Sequence, residues 1–216
     1  QATFGNACYD LEAYTSNPNG TTDGNPANDL LQIELGASMD GTYIIGSSPG
    51  ADFNSFTAAL DLLECAGVAD SVYLLVEAGT YTEQLLFQDI QGAGPTSTIT
   101  FRSRSGNPAD VVLQFNSIVA SENYTLRVGG TQYMNFKDMT IRAQNNTYGR
   151  AVSIGANANT DSFVNVVFEG IDVTTTASEY ALIYSNGSQD QNLVFDNCTF
   201  EEGSYGLRLV GLASRS

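Results

Sequence analysis

The second half of the chain carries two series of short β-type runs that interleave, and no other feature limits its fold as tightly. The first series is Phe136-Lys137-Asp138-Met139-Thr140-Ile141, Phe168-Glu169-Gly170-Ile171-Asp172-Val173 and Phe195-Asp196-Asn197-Cys198-Thr199-Phe200. The second is Arg150-Ala151-Val152-Ser153-Ile154, Tyr180-Ala181-Leu182-Ile183-Tyr184 and Tyr205-Gly206-Leu207-Arg208-Leu209. Successive members lie 32 and 27 residues apart in the first series, and 30 and 25 in the second. A period of this size marks a solenoid or a propeller, and each repeat has room for two or three strands and no helix. Alternation turns Phe, Met and Ile of the first series inward and the polar residues between them outward. Stacking then aligns the inward residues as apolar ladders, with Phe136, Phe168 and Phe195 in one interior column. A propeller needs about four strands in every ~40–45 residues, and a sandwich keeps no register between repeats. The expected fold is therefore all-β, a parallel β-helix solenoid. Asn157, Asn159, Asn186 and Asn197 fall at or near its turns, where Asn tolerates left-handed backbone.

The N-terminal part reads differently. Residues 1–50 are rich in Asn, Gly, Thr and Pro, above all from Ser16 to Asn28, and predict an irregular arm. One or two strands are expected there, over Leu30–Leu35 and Thr42–Ile45. Residues 51–70 hold a short capping helix: Asp52 is placed to cap it, Phe53, Phe56, Leu60, Leu62 and Leu63 recur at helical spacing, and Gly67 stops it. Coils then occupy residues 71–216. The last repeat, near Leu209-Val210-Gly211, is followed by five residues, too few for a capping element. An open end exposes strand edges, so the coils are expected to be truncated at the C-terminus, or covered there by a partner.

Charge narrows the function. Twenty-four acidic residues stand against eight basic ones, a net charge of −16, and the sole lysine is Lys137. Phosphate contacts need clustered Lys or Arg, which excludes nucleic acid and docking on an anionic membrane. An acidic surface suits cations, Ca²⁺ among them, although a solvated, self-repelling face is the ordinary reading; no cofactor is called for. No run approaches the ~20 apolar residues that span a bilayer, so no membrane insertion is expected. The chain opens at Gln1 without a basic-then-apolar segment, so the expectation is a removed signal peptide and a secreted or cell-surface protein. The cysteines, Cys8, Cys65 and Cys198, lack paired spacing, which argues against a zinc site. A Cys8–Cys65 disulfide would tie the arm to the helix, and buried free thiols are the ordinary alternative. The absence of histidine removes the usual proton carrier of many hydrolytic mechanisms.

The segment Ser71-Val72-Tyr73-Leu74-Leu75-Val76-Glu77-Ala78-Gly79-Thr80-Tyr81-Thr82-Glu83-Gln84 resembles the first coil of pectin-lyase-like β-helices. Ile90-Gln91-Gly92-Ala93-Gly94 and Thr98-Ile99-Thr100-Phe101 add to that resemblance. With the helix from Asp52, the chain is similar to the large secreted β-helix surface proteins of Bacteroidota. Many of those carry a type IX secretion sorting domain, which this sequence lacks. The resemblance covers about residues 42–211 and implies a right-handed solenoid. It is nearly silent on chemistry.

Pectin esterases share the Gly-x-Tyr-x-Glu and Gly-x-Gly features, and resemblance to them implies two aspartates, a glutamine and an arginine. Asp172, in Ile171-Asp172-Val173-Thr174, falls where one aspartate is expected. Arg150-Ala151-Val152 stands in place of Gln-Ala-Val, and Glu201-Glu202-Gly203 in place of the second aspartate's block. A carboxylate nucleophile needs its paired acid, so Asp172 reads as an outward strand residue. Polygalacturonase-like hydrolases are matched only at Asn159-Thr160-Asp161, and glycoside hydrolysis needs two spaced carboxylates. No catalytic residue is assigned. Tyr124, Tyr133, Tyr148, Tyr180, Tyr184 and Tyr205 recur along the coils, and Arg102 and Arg104 share a strand face. Tyr133, Tyr148, Tyr180, Arg102 and Arg104 are the glycan-binding candidates, set against ordinary packing at coil edges. The expected role is non-enzymatic, structural or adhesin-like, with a polysaccharide or another cell-surface or secretion-system protein as partner. The alternative is a polysaccharide-active enzyme, esterase-, lyase- or hydrolase-like, whose site is completed by coils beyond this chain.

Overall fold

The computed structural model describes residues 5, 7–15, 20, 24, 25, 27, 29–185 and 190–210. Asn186, Gly211 and most of the Ser16 to Asn28 stretch lie outside the described residues. The chain is mostly β and its main sheets are parallel. It opens with an antiparallel hairpin of β1 (Cys8–Tyr14) and β2 (Leu30–Gly36), paired from Cys8↔Gly36 to Tyr14↔Leu30. Next come β3 (Met39–Ile45) and the helix α1 (Phe56–Ala66). Beyond the helix the chain visits three parallel sheets in rotation. One circuit is β4 (Val68–Val76), β5 (Gly79–Thr82) and β6 (Leu85–Phe87). A second is β7 (Ile99–Ser103), β8 (Val111–Phe115) and β9 (Leu126–Val128). β10 (Met134–Ala143) and β12 (Ser162–Glu169) each bend round a corner and serve the first two sheets in succession, followed by β11 (Val152–Ile154) and β13 (Ala181–Ser185) in the third. β14 (Val194–Asp196), β15 (Thr199–Glu201) and β16 (Tyr205–Leu209) make the last described circuit. β3 pairs in parallel with β4, so the first sheet begins at Met39, inside the stretch read as an arm.

Two corners have a repeating backbone signature. Where β10 and β12 bend, Asp138 and Asn165 adopt φ of 54° and 55°, and Asn197 between β14 and β15 adopts 51°. Asn and Asp tolerate this left-handed region because their short side chains hydrogen-bond locally. Here those side chains also bond to one another. Asn197 Nδ2 donates to Asn165 Oδ1 at 3.1 Å, and Asn165 Nδ2 donates to Asp138 Oδ1 at 2.8 Å. Asp138 Oδ2 then accepts Arg102 Nε at 2.6 Å. The corner before the first sheet is formed by Tyr133, Thr160 and Asn192, with φ of 57°, 59° and 55°. Asn157 is left-handed as expected from the sequence; next to Asn159 it is Thr160 that takes the strained position.

The interior is an aromatic column. Phe101, Phe136, Phe163 and Phe195 stack in order, with centroids 5.8, 5.2 and 5.3 Å apart and ring planes within 15° of parallel. Such pairs add about 0.5–1.5 kcal/mol each beyond the area they bury. The expected column of Phe136, Phe168 and Phe195 needs correction. Phe136 and Phe195 are joined through Phe163, whereas Phe168 lies in the second sheet's column, between Ile141 and Phe200. The true spacings are 27 residues from Phe136 to Phe163 and 32 from Phe163 to Phe195. In the third sheet Val152 pairs with Ile183 and Ile183 with Leu207, each one residue from the expected alignment, in opposite directions.

The helix is held from several directions. Ser55, rather than Asp52, is its N-cap, and Ser55 Oγ accepts the Ala58 N–H at 3.0 Å. Asp52 instead accepts the Ile44 N–H at 2.8 Å, and Phe53 bridges to Ile45. Gly67 closes the helix at φ 65°, where an added Cβ would sit 2.6 Å from the Gln91 carbonyl oxygen. Glu83 reaches back to the helix start. Its carboxylate accepts the Phe56 N–H at 3.1 Å, the Thr57 N–H at 2.7 Å and the Thr57 hydroxyl at 2.6 Å. A negative charge suits a helix N-terminus. Tyr81 meets the Phe56 ring edge-on at 5.1 Å and donates to the Glu77 carbonyl at 2.9 Å. The Gly79-Thr80-Tyr81-Thr82-Glu83 motif thus clamps the helix onto the first circuit.

Candidate functional site

Of the two aspartates that enzymatic comparison singled out, Asp161 is spent on architecture and Asp172 is not. Asp161 is completely buried. Its carboxylate accepts the Thr131 hydroxyl at 2.6 Å and the Met134 N–H at 2.9 Å, both from the preceding circuit. Burial pushes its pKa up to about 6, against the pull of those two hydrogen bonds and with help from the Asp190 charge. A group so enclosed cannot touch a polysaccharide. Asp172 is exposed, and the structure places it in an irregular segment after β12 rather than on a strand. Glu77 accepts Ser48 Oγ at 2.8 Å, Ser48 N–H at 3.1 Å and Arg104 Nη1 at 3.0 Å. The Ser48 hydrogen bonds, more than the Arg104 charge, hold Glu77 below the usual carboxylate range.

The glycan-binding candidates do not converge. Arg102 and Arg104 are exposed on the first sheet, ion-paired with Asp138 and Glu77 respectively. Tyr133 stands at the corner before that sheet. Tyr148 and Tyr180 lie between the second and third sheets, where the Tyr180 ring packs over Gly149 and its hydroxyl donates to the Asn146 carbonyl at 3.0 Å. The two arginines are therefore ion-paired, and they lie away from the segment between the second and third sheets that carries Tyr148 and Tyr180.

A different grouping occupies the outer face of the third sheet. Register places Leu86, Arg127, Ser153, Tyr184 and Arg208 in one outward column across five successive strands. Arg150 lies beside it, its guanidinium 3.8 Å from the Tyr184 ring centroid, with Nε donating to the Ser178 carbonyl at 3.0 Å. Arg127 sits over Tyr124 at 5.9 Å, and Arg208 over Tyr205 at 5.1 Å. A guanidinium over a ring face is held by the ring quadrupole. Gly129 and Gly155 approach each other beside Arg127 and keep this part of the face low. Single-sequence reading missed this set because three arginines scattered over 81 positions show no motif until the register is known.

At the other end, a cavity of about 660 Å³ separates the hairpin from α1 and is lined by Cys8, Glu34, Asp52, Asp61, Glu64 and Cys65, among others. Burial, reinforced by Asp61, raises the Glu64 pKa. Cys8 and Cys65 are joined by a disulfide with their Cα atoms 6.1 Å apart. Both sulfurs are thereby withdrawn from a group, with Glu34, whose spacing would otherwise suit a metal ion. Cys198 is a half-buried free thiol at the corner between β14 and β15; burial raises its pKa, and Sγ donates to the Phe163 carbonyl at 3.3 Å. No helix among the described residues is long and apolar enough to cross a membrane.

The geometry defines a mostly β protein of parallel sheets visited in rotation, with arginine–tyrosine pairs on one outer face. No protein-family model matches the sequence, and no curated protein does. Among solved structures, the chain is similar to the deglycosylated pectin methylesterase of Aspergillus niger, with 14% sequence identity and a TM-score of 0.36. The match covers 83% of this chain and 89% of that one. At that TM-score the likeness is distant and carries no residue-level correspondence.

Proposed function

We propose that this chain is a right-handed parallel β-helix from a secreted or cell-surface protein, with a structural or adhesin-like role exercised by contact with polysaccharide. The observation that carries the reading is where the motif carboxylates go. Asp161 ties one circuit to the one before it, Glu83 clamps the helix, and Glu77 anchors the turn at Ser48. The carboxylates of the Asn159-Thr160-Asp161 and Gly-x-Tyr-x-Glu motifs serve here as internal ties, whereas Asp172 stays exposed in an irregular segment. The disulfide agrees with an oxidising, extracytoplasmic setting. Kinship with the type IX secretion cargo of Bacteroidota rests on the sequence resemblance alone.

A glycan array, run beside assays for methanol release and for new reducing ends on pectin, tests the reading. We expect glycan binding without turnover. Turnover that Asp172→Asn abolishes would overturn it.

A further inference from the structure

We propose that the outer face of the third sheet is a binding site for an anionic polysaccharide, with Arg127, Arg150 and Arg208 contacting its carboxylate or sulfate groups. This deepens the polysaccharide-contact reading above and rests on it.

Charge pairing is the first argument. The sequence has three times as many acidic as basic residues. Among the described residues the ion pairs are Arg102–Asp138, Arg104–Glu77 and Arg142–Glu169, and all three belong to the first two sheets. Arg127, Arg150 and Arg208 enter none. In a chain so rich in carboxylates, three guanidiniums on one sheet face that form no ion pair leave room for an anion from outside. They are also partly withdrawn from water, each against a tyrosine ring. A half-buried charge outside an ion pair is costly, and a bound anion would reduce that cost. Burial lowers the Arg150 pKa, and Arg208 acts in the same direction, against the opposing influence of Tyr184 and Glu179. A bound anionic group would offset that repulsion between the two guanidiniums. Guanidinium forks suit carboxylate and sulfate-like oxygens because they present parallel N–H groups.

Shape is the second argument. Neighbouring strands are about 4.8 Å apart, so the column from Arg127 through Ser153 and Tyr184 to Arg208 runs about 14 Å across the strands. Ser153, with Gly129 and Gly155 beside Arg127, keeps the Arg127 end shallow, while Arg150 stacks on Tyr184 toward the other. A long ligand carrying charges at intervals fits a low strip with a cation at each end. β9, β11 and β13 have both edges paired, so a polypeptide could add a strand only beyond β6 or β16, at the ends of this sheet and not over its face.

The test is affinity electrophoresis of the 216-residue chain through gels containing polygalacturonate, dextran sulfate, neutral dextran or polyglutamate. We expect retardation by polygalacturonate or dextran sulfate, weakened by salt, and none by dextran. The two polyanion gels separate carboxylate from sulfate recognition. Arg127→Gln and Arg208→Gln should each weaken binding about tenfold, the scale of one charge-assisted hydrogen bond. These two variants carry the test because Arg150 also bonds to the main chain, and unchanged thermal unfolding would show that they fold. Absence of salt-sensitive binding to both polyanions, or affinity that both variants leave intact, would overturn the proposal. Equal retardation by polyglutamate would overturn it in favour of an acidic protein partner. Binding of neutral dextran that the variants leave unchanged would remove this site and leave polysaccharide contact standing. Turnover of pectin would remove the wider reading whatever the arginine variants do.

Discussion

Phe163 has aromatic neighbours on three sides: Phe136 and Phe195 stacked at 5.2 and 5.3 Å, and Phe168 edge-on at 5.5 Å. It is fully buried, so Phe163→Ala should cost about 3–5 kcal/mol, the range for emptying a packed aromatic site. Urea unfolding checks this, and a loss below about 1 kcal/mol would contradict the column. Asp161 makes a prediction in pH. A carboxyl whose pKa is raised on folding, here to about 6, binds its proton more tightly in the native state than in the unfolded chain. Its effect on stability is neutral below the unfolded value of about 4 and becomes unfavourable as pH climbs through 6, by about 3 kcal/mol in all. Asp161→Asn should therefore gain stability relative to the parent between pH 4.5 and 7.5; a constant difference across that range would sink the assignment. Neither residue's setting was legible in the sequence. Phe163 and Phe168 stand five positions apart in one bent strand, and choosing Phe168 as the partner of Phe136 shifts the alignment from one column to the next. The signal that resolves it is the third position of each run, Asp138, Asn165 and Asn197, where the corner demands a residue at ease with positive φ.

Among the elements, α1 was the most legible, because its apolar spacing and Gly67 stop are local features. Its cap was not. Asp52 and Ser55 are both good capping residues, and Asp52 is drawn away by the Ile44 N–H. The contribution of Glu83 is non-local, coming from 26 residues downstream of Thr57. Glu83→Ala leaves those helix N–H groups short of an acceptor and should lower stability by about 1–2 kcal/mol. Differential scanning calorimetry reads this directly, and an unchanged melting temperature would contradict it. The hairpin of β1 and β2 pairs only with itself and is tied to α1 by Cys8–Cys65. Its face toward the helix includes Cys8 and Glu34, while Tyr9, Leu11, Leu31 and Ile33 are exposed. With Cys8→Ser and Cys65→Ser together, proteolysis should begin within residues 5–36 while the sheets resist. Simultaneous loss of the whole fold would show the hairpin to be integral to it.

At the scale of the molecule, a stacked repeat of two or three strands could be read from the sequence because two interleaved series of apolar runs recur from β10 onward. The earlier circuits were harder to read. Phe101 and Phe136 are partners 35 residues apart, and the connections between β7 and β10 lengthen and obscure the period. The sites were the least legible, since the third sheet's outer face becomes a group only when register brings Arg127, Tyr184 and Arg208 into line. That dependence makes register the claim to test. Lys137 and Val164 are paired outward neighbours on β10 and β12, whereas the alternative alignment of Phe136 with Phe168 would pair Lys137 with Glu169. Adjacent parallel positions fall within disulfide reach. In a Cys198→Ser background, oxidation should cross-link Lys137→Cys with Val164→Cys rapidly and leave Lys137→Cys with Glu169→Cys reduced. Cross-linking of the second pair, or of neither, would contradict the stacking described here.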